Sequence, residues 1–105
     1  MSVTVNTSLN YVDASSAVTI TDSKTVDGDI SLTYYNADTS DVSVITNILF
    51  YDAQGKLIDA RWGYCLLTSG KTEFETVSAP YEYNENFEKV STYSTYKIYN
   101  YAYKY

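Results

Sequence analysis

Val42, Val44, Thr46, Ile48 and Phe50 occupy every second position of an unbroken ten-residue run, Val42-Ser-Val-Ile-Thr-Asn-Ile-Leu-Phe-Tyr51. Side chains at period two share one face of an extended chain, so this run predicts a strand with one buried side. Asp52-Ala-Gln-Gly55 follows, a turn with glycine where positive φ is wanted. The chain then resumes alternation at Ile58, Ala60, Trp62, Tyr64 and Leu66. Two alternating runs joined by a short turn predict a β-hairpin. Its inner faces are expected to meet around Ile48, Phe50 and Trp62.

The rest of the chain repeats this grammar. Val3, Val5, Leu9 and Tyr11 suggest a short edge strand or an extended arm over 3–12, and Asp13-Ala-Ser-Ser16 reads as a turn. Between Ala17 and Val26, Val18, Ile20 and Val26 are expected on one side and a row of threonines and Ser23 on the other. Asp29 to Tyr35 places Ile30, Leu32 and Tyr34 inward. A two-residue turn at Asp27-Gly28 would set Ile30, Leu32 and Tyr34 on the face that carries the threonines. A longer loop, a bulge, or strands parting into different sheets is therefore expected there. Asn36-Ala-Asp-Thr-Ser-Asp41 is a loop of residues that bond to their own backbone. Lys71 to Ser78 reads as a strand with Phe74 buried and Glu73 and Glu75 on the solvent side, ended by Pro80. Tyr81 to Lys89 is an acidic connection, irregular or briefly helical. Val90 to Tyr105 is too long for one strand and should break near Ser94.

Six to eight short strands with turn signals between them and no helical period predict an all-β chain, an antiparallel β-sandwich, with a small barrel as the alternative. At 105 residues it is read as one domain spanning 1–105. Thirteen tyrosines support the β assignment, since aromatic residues suit half-buried pleated surfaces.

Charge and composition narrow the function. The net charge is −6 and the seven lysines and arginines are scattered, which argues against nucleic acid and anionic membranes. No segment approaches the roughly 18 unbroken apolar residues of a membrane-spanning helix. There is no histidine, which removes the usual general base, the commonest metal ligand and every Ser-His or Cys-His arrangement. The chain is expected to be non-catalytic, with no cofactor. Cys65 is the one cysteine, expected as a small packed residue. The first residues lack a basic and an apolar leader region, so the chain is either cytoplasmic or starts after a removed signal.

Gly28-Asp-Ile-Ser-Leu-Thr-Tyr-Tyr-Asn36, then Ile48-Leu-Phe-Tyr-Asp-Ala-Gln-Gly-Lys-Leu57, then Leu67-Thr-Ser-Gly-Lys-Thr-Glu-Phe74 together resemble the FxLYD family of immunoglobulin-like bacterial domains. The resemblance covers roughly residues 26–80. It implies an immunoglobulin-like sandwich of about seven strands in a secreted or cell-surface bacterial protein, without known catalysis and without a site to carry over.

Several groups are candidates for chemistry. Glu73 and Glu75 could serve a glycosidase only if they flanked a cleft, and solvated charges are the simpler reading. Asp27 and Asp29, with Asp38 or Asp41, offer oxygen ligands for calcium without a recognised spacing. Glu82, Glu85 and Glu88 read as a solvated loop. Tyr99, Tyr101, Tyr103 and Tyr105 share one face of the last strand. They form either an exposed aromatic ladder for a protein or sugar partner, or cross-strand pairs of which one or two close the core; the balance falls to the second. The expected role is a spacer, adhesion or protein-interaction module, self-association included. A carbohydrate-binding module using exposed tyrosines is the alternative.

Overall fold

The computed structural model describes residues 12–104. Nine strands and one 3-10 turn make up those residues: β1 (Val12–Asp13), the turn Ser15–Ala17, β2 (Val18–Val26), β3 (Asp29–Asn36), β4 (Val42–Tyr51), β5 (Leu57–Leu67), β6 (Thr72–Val77), β7 (Tyr81–Tyr83), β8 (Lys89–Ser91) and β9 (Thr95–Lys104). The strand count exceeds the expected seven because a two-residue edge strand and a small extra hairpin join the main set. Val12 aside, the arm expected over 3–12 lies outside the described residues, as does Tyr105.

One sheet has the order β1-β9-β4-β5 and faces a second of order β2-β3-β6, with β7 and β8 paired apart; every pairing is antiparallel. The chain crosses between sheets from β1 to β2, from β3 to β4, from β5 to β6 and from β6 through the small hairpin to β9. The result is an all-β antiparallel sandwich with Greek-key connections. Ile30, Leu32 and Tyr34 of β3 meet Val42, Val44, Ile48 and Phe50 of β4, with Leu67, Val77 and Ala102 closing the core. The inward faces of β3 and β4 are those the alternation predicts.

Three registers differ from expectation, each through a local backbone device. Asp27-Gly28 does form a tight turn. Asp27 (φ 50°) and Gly28 (φ 84°) both take positive φ, and Val26 pairs with Asp29. Consecutive positive φ values match the twist of a two-residue hairpin. The conflict with the threonine row is resolved further along β2, where a bulge between Ile20 and Asp22 returns Val18 and Ile20 to the core and leaves Val26 half exposed.

The hairpin of β4 and β5 carries a second bulge. Tyr51 pairs with Leu57 but Phe50 pairs with Asp59, leaving Ile58 extra. That one residue inverts every side chain beyond it. Asp59, Arg61, Gly63, Cys65 and Leu67 turn inward, and Ile58, Ala60, Trp62, Tyr64 and Leu66 turn outward. Trp62, expected in the core, is 69 % exposed. The interior has no room for it: even a Cβ on Gly63 would overlap Glu75 Oε1 and come within 3.2 Å of Val77.

In β6 the facing pattern is also reversed. Val77 pairs with Ile30 and is buried, so Glu75 and Glu73 share its inner side while Phe74 stands 73 % exposed. The 81–89 connection is a hairpin with no helical turn: Asn84 Oδ1 accepts the N–H groups of Asn86 and Glu88, and Phe87 takes φ 59°. The last stretch breaks at 92–94, as expected.

Candidate binding face

β4 runs down the middle of the larger sheet, flanked by β9 and β5, so its register dictates which side chains stand in rows across the outer surface. Asn47 lies between Trp62 and Tyr99, Ile45 between Tyr64 and Tyr101, and Ser43 between Leu66 and Tyr103. Trp62, Tyr64 and Leu66 are each more than half exposed; Tyr99 is 53 % and Tyr101 38 % exposed. Strands of ten and eleven residues, at about 3.4 Å per residue and about 4.8 Å apart, give a face of about 500 Å² in projection.

Local bonds order the rings. Tyr101 and Tyr103 stack with centroids 5.9 Å apart and planes at 27°. The hydroxyls of Ser43 and Tyr64 are 2.9 Å apart. Lys97, the one charged residue on the outward faces of β4, β5 and β9, lies over the Tyr51 ring at 5.5 Å. A chain of net charge −6 thus carries a flat aromatic area nearly free of charge. Such a face can bury against another apolar surface or stack on the faces of sugar rings.

Tyr99, Tyr101 and Tyr103 thus belong to a wider surface than the last strand alone. Trp62, Tyr64 and Leu66 escaped the sequence reading because the bulge at Ile58 sets their side. A signal was present in Gly63 and Cys65, small residues that fit a crowded interior better than the rings beside them.

The interior holds a polar cluster. The Tyr34 and Thr46 hydroxyls are hydrogen-bonded to each other, and burial pushes Tyr34 up to about 12. Glu75 reaches into the same region, where its Oε2 is shielded and has no bonding partner. Burial raises its carboxyl above the ordinary 4.5, against a lowering by hydrogen bonding with Thr46. Cys65 is half-buried and its thiol is pushed up by burial and then by the charges of Glu75 and Glu73. A protonated, partly covered thiol suits packing. Within a single chain Glu75→Gln removes a charge that the fold disfavours, so in dilute solution, where no second copy pairs with it, the variant is expected to unfold at higher temperature at neutral pH. A raised folded-state value means the native protein loses stability as pH climbs past the ordinary value. The advantage of the variant should shrink on acidification and vanish below about pH 4, where both proteins are neutral at this position; thermal melts between pH 3 and 8 check this.

The aspartates considered for calcium are engaged separately. Asp29 accepts from the Ala79 N–H and pairs with Lys89 at 3.4 Å, Asp38 pairs with Lys104 at 2.9 Å, and Asp41 accepts from the Ser69 N–H. No cluster of three or more metal-ligating side chains exists among the described residues. An open depression of about 820 Å³ beside the β2–β3 turn is lined by charges of both signs, Lys24, Asp27, Asp29 and Lys89. No helix among the described residues is long and apolar enough to cross a membrane. Comparison with protein-family models, with curated proteins and with solved structures yields no match.

Proposed function

We propose that this chain is a non-catalytic, immunoglobulin-like binding module of a bacterial secreted or cell-surface protein, serving adhesion, spacing or protein interaction through the outer face of its larger sheet. The observation that carries the reading is the set of aromatic rows on that face, Trp62 with Tyr99 and Tyr64 with Tyr101, nearly free of charge in an acidic chain. The resemblance of residues 26–80 to FxLYD-type domains supports the bacterial, extracellular setting. The quoted motifs read as structural on this view. Asn36 bonds the Leu67 carbonyl and the Gly70 N–H, so two of the three pieces meet at a buried asparagine that no partner reaches.

Trp62 is the one tryptophan of the chain and reports on this face directly. Its native emission is expected to resemble that of a solvent-exposed indole and to be quenched freely by acrylamide. Trp62→Ala should leave unfolding free energy within about 1 kcal/mol of the native value and abolish partner binding. Emission of a buried indole, or partner binding unchanged in Trp62→Ala combined with Tyr99→Ala, would contradict the reading. The flat row of rings also favours a carbohydrate-binding module. Protection of Trp62 from quenching by soluble polysaccharides, and not by protein partners, would select it.

A further inference from the structure

The edge of the larger sheet is organised for a partner of one kind. β5 bonds β4 on one side and, among the described residues, has no strand on the other. The Ala60 N–H donates to the Asp59 carboxylate at 2.8 Å, off the ladder with β4. Alternation then directs the backbone groups of 60, 62, 64 and 66 to the open side. Natural edges of this kind are blunted by shortness, proline, lysine, inward-pointing charges or a mid-strand bulge. β5 has eleven residues, no proline or lysine, and its bulge lies at the turn; its inward charges, Asp59 and Arg61, pair with each other at 2.8 Å.

We propose that β5 pairs antiparallel with β5 of a second copy of this chain, about a two-fold axis beside Trp62, joining the two larger sheets into one. Residue 62 is the midpoint of Leu57–Leu67, so this register uses the whole strand. It sets Ala60 against Tyr64 of the second copy on the outer face, and Trp62 against its own twin. On the inner face it sets Arg61 against Gly63 of the second copy. Behind that glycine lies Glu75, whose Oε1 fills the space a Cβ would take and whose Oε2 has no partner. Arg61 donates through Nε to Asp59 at 2.8 Å and carries further N–H donors, which this register brings alongside Glu75 Oε1, the oxygen nearest Gly63. Two-fold symmetry makes the pairing twice.

The neighbouring registers are worse on charge. An axis at Arg61 opposes two guanidinium groups, and an axis at Gly63 brings the two Glu75 carboxylates together. The edge contact stands independently of the binding face, since backbone hydrogen bonds and the Arg61–Glu75 pair carry it.

The test uses the full chain with Cys65→Ala to remove the native thiol. At a hydrogen-bonded pair beside the axis, the two copies of residue 62 have Cα atoms about 5.5 Å apart, within disulfide reach. Trp62→Cys is expected to give a covalent dimer under mild oxidation. Ile58→Cys should not, because its twin lies about eight residues of strand away, about 27 Å. Sedimentation of the wild type should show a dimer, and Arg61→Glu should raise the dimer dissociation constant about tenfold or more, with circular dichroism unchanged. Adding Glu75→Arg to Arg61→Glu should restore it. A wild-type monomer at millimolar concentration, equal cross-linking at 58 and 62, or an Arg61→Glu variant that is folded and dimerises as tightly as the wild type would overturn the proposal.

Discussion

Phe50→Ala is expected to lower the unfolding free energy by about 3–5 kcal/mol, the range for deleting a fully buried aromatic ring. Phe50 has no exposed surface and holds the end of β4 against the corner that precedes β9. Its ring lies 4.9 Å from Tyr93 at 59° and 6.4 Å from Tyr96 at 47°. The Ser94 N–H donates to the Tyr51 carbonyl beside it at 2.7 Å. Removing the ring leaves a void bounded by two tyrosines that are themselves fixed, Tyr93 by a 2.6 Å bond from its hydroxyl to the Gly28 carbonyl. A site so held collapses poorly, which places the cost toward the upper end. Against a typical total of about 5–15 kcal/mol, a loss of about 5 kcal/mol would lower the denaturation midpoint by about a third or more of its value. Equilibrium unfolding in urea with an unchanged slope measures it. Trp62→Ala is the matched control, since the larger ring stands outside. Equal losses for the two variants would mean that the facing of β5 is wrong.

Asn36→Ala is expected to cost about 2–4 kcal/mol without creating a cavity of comparable size. Asn36 is fully buried at the end of β3. Its Nδ2 donates to the carbonyls of Ser40 and Leu67, both at 3.0 Å, and its Oδ1 accepts the Asp38 N–H at 2.9 Å. Its own carbonyl accepts the Gly70 N–H. One carboxamide therefore ties the β3–β4 loop to the β5–β6 turn across the sandwich. Alanine leaves the Leu67 carbonyl buried with its side-chain donor gone, and an unpaired buried acceptor costs more than the net worth of the bond it lost. Asn36→Asp should be at least as damaging, since it replaces the donor facing two carbonyls with an acceptor. Urea titration gives the magnitude, and amide exchange at Asp38 and Gly70 locates it: both should lose protection in Asn36→Ala. Protection unchanged there would assign the stability of these turns to backbone bonds alone.

Legibility differed strand by strand. β3 and β4 were readable because each is flanked by the core on one face only, and because Ile30, Leu32, Val42, Val44 and Ile48 leave no doubt about which face that is. The Asn36–Asp41 loop was readable for a local reason, namely that side chains two and four residues away satisfy its backbone. β5 was misread although its alternation is as clear as that of β4. Both of its faces carry apolar residues, so the pattern fixes the period and leaves the phase open. The same ambiguity hid the extent of the aromatic face: Tyr99, Tyr101 and Tyr103 share one side of β9 as expected, but their neighbours across β4 were placed inside. In β6, Phe74 outweighed Val77 on hydrophobicity alone, and pairing with Ile30 decided for Val77.

By itself the sequence determined β2 to β6 and β9 as strands, the turns after β3, β4 and β5, the inner faces of β3 and β4, and the absence of imidazole chemistry, because these follow from period and residue type within a few neighbours. The tertiary structure alone decided the phase of β2, β5 and β6. A bulge shifts phase by one residue at small local cost, and whether Gly63 or Trp62 turns inward depends on Glu75 and Val77 across the gap between sheets.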